Sequence, residues 1–341
     1  MRSITLAPVP VLLMGALVGA LLGGARSVAA QPAAEPIDTS QELPVRKIPG
    51  FYAMAEAYFS PDGQQMILNA RLTEDEEEYH VYTTNLDGTE ITQINGVGAD
   101  ACSYFFPDGT RVVYTSTKDH PDLPRGNFSD IANYPTGAEL YSADPDGSNV
   151  TRITNNELYE AEVSVSPDGQ WLLFGRLVDG RMELWRMRPD GSDEFQITDT
   201  PELQEGGAFY MPDSEHIIYR AWTRSDEGQR GMPMTIYTIK HDGTDTRQIT
   251  HEPGMNWAPH PAPDGKHFVY VKMLGRGNFE VFMMNIETGT QTRLTYNEAF
   301  DGFPAFSPDG KTVGFSSSRG APPGGRNMAV YLMDVSSLMN K

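Results

Sequence analysis

A short turn motif, repeated six times, limits what this chain can fold into more than any other feature. Pro-Asp-Gly (once Pro-Asp-Ser) stands at Pro61, Pro107, Pro167, Pro212, Pro263 and Pro308, at spacings of 46, 60, 45, 51 and 45 residues. Proline pre-sets φ at the second position of a type I turn, aspartate suits the third, and glycine takes a left-handed fourth. Five to seven residues after each proline comes an apolar triplet, such as Met66-Ile67-Leu68, Val112-Val113-Tyr114 or Phe268-Val269-Tyr270. Unbroken apolar runs of this length, bounded by turns, predict strands buried on both faces.

Further on, each unit carries an aliphatic–aromatic pair: Val81-Tyr82, Leu140-Tyr141, Leu184-Trp185, Ile236-Tyr237, Val281-Phe282 and Val330-Tyr331. An Asp-Gly hairpin turn follows in the first four units and the longer Glu287-Thr288-Gly289 in the fifth. A last short strand ends in steps such as Arg152-Ile153-Thr154 and Arg293-Leu294-Thr295. Each unit therefore reads as four antiparallel strands, one blade of a propeller. The sixth unit lacks its fourth strand, and Val45-Arg46-Lys47-Ile48 stands ahead of the first unit at the offset of such a strand. The predicted fold is all-β, a six-bladed propeller of four-stranded blades closed by an N-terminal strand that completes the last blade.

Spacing and sequence together resemble the TolB-type propeller repeat, with its S-P-D-G turn, I-Y step, D-G-S turn and R-L-T strand, over residues 44–341. TolB carries a separate α/β domain ahead of its propeller, whereas residues 31–43 read here as a linker. Similar repeats occur in oligogalacturonate lyases, which use histidines around a metal near the channel. The resemblance implies a fold; propellers host many activities.

Residues 1–30 read as an export signal. Arg2 precedes an apolar run from Val9 to Leu22, and Val28-Ala29-Ala30 places small residues for cleavage before Gln31. Without Arg2 and Arg26 the chain has 24 basic against 46 acidic residues, a net charge of about −22. Such a charge disfavours nucleic acid and anionic membrane surfaces as partners. The single cysteine, Cys102, excludes an intramolecular disulfide. The expectation is a periplasmic or secreted monomer that is not inserted in the membrane.

Strand order sorts the loops. The long insertions, 72–78, 117–138, 222–233, 273–278 and 317–327, fall on the face where the inner strands begin, and the Pro-Asp-Gly and Asp-Gly turns on the other. Seven residues before each proline stand Met54, Asp100, Glu160, Glu205, Asn256 and Asp301. Equivalent positions of a radial repeat form a ring, here expected at the channel mouth with Glu56 close by. The next position is small in five units and Trp257 in the fifth. These carboxylates could hold Ca²⁺ or a basic partner group, with Trp257 stacking on a ligand. Alternatively they tie blade to blade through backbone amides.

Chemistry is weakly signalled. No G-x-S-x-G occurs. His251-Glu252 opens like a zinc-protease motif, but Pro253 breaks the helix and Met255 replaces the second histidine. Asp144–Asn149 reads as a hairpin rather than half a calcium loop. His260 and His267 flank the fifth turn, which this topology assigns to the face away from the long loops. The expected function is a non-catalytic module that binds an envelope protein or peptide, or a small ligand, through Glu56, Asp100, Glu160, Glu205, Asn256, Trp257 and Asp301. The alternatives are a metal-dependent polysaccharide lyase or other hydrolytic propeller, and an envelope scaffold.

Overall fold

A computed structural model describes residues 37–339, apart from Arg230, Arg276, Pro323, Gly324 and Arg326. The expected export signal and the start of the linker lie outside the described residues. No helix among the described residues is long and apolar enough to cross a membrane.

Six four-stranded sheets follow one another along the chain, each antiparallel and ordered from an inner to an outer strand. The inner strands are Ala53–Phe59, Asp100–Phe105, Tyr159–Val165, Leu203–Tyr210, Asn256–Pro261 and Asp301–Phe306, in blades 1 to 6. Blade 6 is completed from the other end of the chain: Val45–Lys47 pairs antiparallel with Ala329–Asp334, Val45 opposite Met333 and Lys47 opposite Tyr331. Ile48 continues the closure by donating its N–H to the Val330 carbonyl at 2.9 Å. Part of the segment read as a linker is also held, since the Glu42 carboxylate accepts the Tyr296 N–H at 2.7 Å and pairs with Arg319.

The repeated residues form these elements for local reasons. In the first turn the Gly63 N–H donates to the Ser60 carbonyl at 2.8 Å, and the Ser60 hydroxyl donates to Asp62 at 2.6 Å. Ser166 and Ser307 repeat the arrangement with Asp168 and Asp309. In blades 2 to 5 a threonine just past the outer strand folds back on the third: Thr154 Oγ1 accepts the Leu140 N–H, and Thr198, Thr250 and Thr295 serve Leu184, Ile236 and Val281, all at 2.8–2.9 Å.

The apolar triplets are buried on both sides and join neighbouring blades. One cluster packs Tyr58, Ile67 and Val81 of blade 1 against Phe105, Val112 and Tyr114 of blade 2. Another gathers Ile48 with residues of blades 1, 5 and 6. Each such side chain removed from water contributes about 1.5–3 kcal/mol, so the seams between blades are where the fold's stability resides.

Candidate functional site

A bulge in every inner strand decides which side chains reach the channel. The strand pairs regularly at its start, with Asp100 opposite Ser116, Glu160 opposite Arg176 and Asp301 opposite Ser317. The register then slips in all six blades. Five residues before the turn proline stand Glu56, Cys102, Glu162, Gly207, Ala258 and Phe303, and all but Glu56 have a left-handed φ between 43° and 57°. A bulge breaks the alternation of the strand and re-aims its side chains. The six residues of this second ring face the channel.

The first ring mostly does not. Asp100, Glu160, Glu205, Asn256 and Asp301 are each buried at the seam with the preceding blade. Asp100 accepts the Val81 N–H of blade 1 at 3.2 Å and the Asn95 amide at 2.7 Å, and it only borders the cavity. Glu160 accepts Asn156 at 2.7 Å and pairs with Arg176. Asp301 accepts Asn297 at 2.6 Å and Arg319 at 3.0 Å. The Asn256 amide donates to the Met234 carbonyl at 3.2 Å, and Met54 is fully buried. Glu205 has no cation partner among the described residues; it lies against Glu183, and burial together with that second carboxyl pushes its pKa up to about 8. The carboxylate ring expected to attract Ca²⁺ therefore does not converge, because its members lie in separate seams. Glu56 and Trp257 are the two expected site residues that the fold places squarely in the channel.

What they line is a cup of about 1190 Å³ open to the long-loop face. Its floor is aromatic. Tyr58 and Phe209, from blades 1 and 4, line it, and Tyr104 and His260 of blades 2 and 5 pack against them, with ring centroids 4.9–6.0 Å apart. Tyr58 and Phe209 come from opposite blades and meet at 5.4 Å, so the channel is stopped rather than open. His260 stands at the turn end of its inner strand, as expected, with its ring packed on Tyr58 and Phe209. Its Nδ1 accepts the Phe306 N–H at 3.3 Å, and burial pushes its pKa down to about 4, leaving a neutral imidazole. The walls are aromatic as well. Trp257 packs edge-on to Phe303 at 4.7 Å, and Tyr134, from the long loop of blade 2, stacks on Tyr159 at 4.0 Å.

Residues 33–249 and 229–339 match the TolB beta propeller domain family, PD40. The chain belongs to this family. An uncharacterised protein of Agrobacterium fabrum is 31% identical over 251 residues, 63% of this chain and 83% of its own length. A TolB homolog of Chlorobium luteolum is 29% identical over 167 residues and covers 49% of this chain. A dipeptidyl-peptidase 5 of Porphyromonas endodontalis is 24% identical over 261 residues and covers 62% of it. The chain spans only 36% of the length of either of the last two. Among solved structures, a putative TolB from Agrobacterium tumefaciens superposes with a TM-score of 0.59 at 20% identity, covering 85% of this chain and 96% of its own. An oligogalacturonate lyase in complex with manganese gives 0.59 at 16% identity, covering 90% and 98%. At such identities the likeness is one of fold.

Within this TolB-family propeller, the manganese of that lyase has no evident counterpart: among the described residues no three His, Cys, Asp or Glu side chains converge as a metal site requires. The cup has its own charged centre instead. Glu162 accepts Arg220 Nη2 and the Gly207 N–H, both at 2.6 Å. Two glycines make room for this pair. A Cβ at Gly207 would come within 1.8 Å of Arg220 Nη1, and one at Gly206 within 2.2 Å of Glu162 Oε2. Glu56 lies nearby, beside the Cys102 thiol. Burial, and to a lesser degree Glu162, push the Glu56 pKa up to about 7. Burial also holds the Cys102 thiol well above its ordinary range, so it is protonated. Asn69 and Trp222 border the same cavity, and both amide atoms of Asn69 and the indole Nε1 of Trp222 lack a partner among the described residues.

Sequence reasoning missed Glu162, Arg220 and a second set of buried acids. Glu139, Glu183 and Glu280, all but fully buried, face the seams from the third strands. A signal was present: each directly precedes the aliphatic–aromatic pair of its blade, as in Glu139-Leu140-Tyr141.

Proposed function

We propose that the protein is a binding module and that its cup receives a small ligand or one end of a peptide. The observation that carries this reading is the stopped, aromatic cup itself. A closed concave site with a few convergent polar groups is how proteins bind small molecules. Unpartnered polar atoms at Asn69 and Trp222 favour an occupant that brings hydrogen-bonding groups, since a buried unpaired group costs about 1–3 kcal/mol. The groups in the cup suit recognition better than reaction: the Cys102 thiol is protonated, and Glu162 is neutralised by Arg220. With the expected export signal removed, the module would work in the periplasm or outside the cell, as a monomer.

A thermal-shift screen of small molecules and short peptides tests this, since a ligand selective for the folded state raises the midpoint. Hits should be weakened by Trp257→Ala and unaffected by Val150→Ala, which alters an exposed residue beyond the outer part of blade 2. Hits that ignore Trp257→Ala would move the binding site away from the cup. A screen with no hits in any class would count against the reading and favour a scaffold.

A further inference from the structure

Charges in the cup are unevenly matched. Arg220 is committed to Glu162 at 2.6 Å, and at the rim Arg125 lies between Glu77 and Glu78 at 3.0 and 2.8 Å. Glu56 forms no ion pair among the described residues. The groups facing it are the Tyr58 hydroxyl of its own blade, the Cys102 thiol of blade 2, Glu162 of blade 3 and, beyond that, Arg220 of blade 4. It is a carboxyl in an aromatic cavity, and among the described residues the cation acting on it, Arg220, already belongs to another carboxylate.

We propose, resting on the binding-module reading above, that the cup takes an ammonium group carried on an apolar or aromatic body, with Glu56 as its counter-ion. An anion at this depth would meet two carboxylates and a guanidinium already bound to one of them. A neutral ligand would supply no counter-ion, so it would draw nothing from the ability of Glu56 to ionise. An ammonium pairs with Glu56, and the aromatic walls attract it through their ring faces. The Trp257 and Phe303 rings and the stacked Tyr134–Tyr159 pair hold its apolar part. Free aryl-alkyl amines and the N-terminus of a peptide with an aromatic first residue share this chemistry.

Proton release follows from the arrangement. A carboxyl protonated up to about pH 7 in the empty cup must ionise to pair with the ammonium, so binding near neutrality expels a proton and tightens as pH rises.

Isothermal titration of the purified protein with 2-phenylethylamine, 2-phenylethanol and 3-phenylpropanoate, at about pH 6 and about pH 8, tests the assignment. Phenylalanylglycinamide and its N-acetyl form separate the peptide source from the free amine. The amine, the free dipeptide or both should bind at least about tenfold tighter than their uncharged counterparts. The margin should be wider at the higher pH and should vanish in Glu56→Gln. Trp257→Ala should weaken every ligand that binds. If the alcohol or the propanoate matches the amine while remaining sensitive to Trp257→Ala, the cup binds ligands and the charge assignment is wrong. A preference for the amine that survives in Glu56→Gln overturns the assignment too. If neither the amine nor the dipeptide binds at millimolar concentration, the ammonium assignment fails, and the library screen alone decides the cup.

Discussion

Two rings of side chains, set two residues apart on the same inner strands, have opposite fates. Asp100, Glu160, Glu205, Asn256 and Asp301 are shut into the seams between blades, where most find a cation, an amide or a backbone N–H. Glu56, Cys102, Glu162, Gly207, Ala258 and Phe303 look into the cup. The bulge between them converts one strand into a seam half and a cavity half. Blade geometry can thus be fixed by one set of residues while the cup varies with the other.

The sharpest way to break this division is to strip a seam acid of its cation. Arg319→Met leaves Asp301 buried without its partner and releases Glu42 in the segment before the closing strand. A destabilisation of about 3–5 kcal/mol is expected by chemical denaturation. An effect under 1 kcal/mol would mean that the seam carboxylates are not held by charge. Gly207→Ala asks whether the cup ring contains a structural member. The added Cβ meets Arg220 in a left-handed backbone, so a loss of about 2–3 kcal/mol is expected. Unchanged stability would show that the Glu162–Arg220 pair can move aside.

The seam between blades 3 and 4 sharpens the comparison, because Glu205 faces Glu183 where Glu160 and Asp301 face arginine. The folded state holds the Glu205 proton up to about pH 8, whereas the unfolded chain releases it near 4.5. Between those values the folded state binds more protons, so this pair's contribution falls as pH rises and is fully present only below about 4.5. Thermal midpoints should decline from pH 5 to 8, and Glu205→Gln should flatten that decline, raising the midpoint at pH 8 by about 2–4 °C. A variant with an undiminished slope would rule out the pair as its source. Glu56→Gln should change stability by less than about 1 kcal/mol at pH 6, since its burial costs a protonated carboxyl and an amide alike. Its effect belongs in binding. Smallest of all, Arg125→Ala at the rim removes an exposed pair and should leave the denaturation midpoint essentially unchanged.

Fold and site were unequally legible. Six units agreeing at fixed offsets specify the blades, the loop face and the closing strand before any packing is known, because turn proline and glycine and the buried triplets are local signals. The bulge is not local in this sense. Its left-handed residue is glycine only at Gly207; Cys102, Glu162, Ala258 and Phe303 adopt the same conformation without announcing it. A strand read as regular therefore put the acids of Asp100, Glu160, Glu205 and Asp301 into the channel. Arg220 was invisible for another reason: it reaches the cup from a second strand, past two glycines whose meaning depends on the side chain that fills their space. Trp257 was legible because a large residue in an otherwise small position has few places to go.

The closing strand also sets an order of events. Val45–Lys47 is among the first parts of the propeller to be synthesised, yet the strand it pairs with lies close to the last residue described. Blades 1 to 5 can each form from neighbouring segments, but the ring cannot shut until blade 6 exists. Contacts so distant along the chain are slow to form. Until they do, the third strand of blade 6 presents a bare edge. The closed ring is therefore a property that arrives last and all at once, with the final join of the circle.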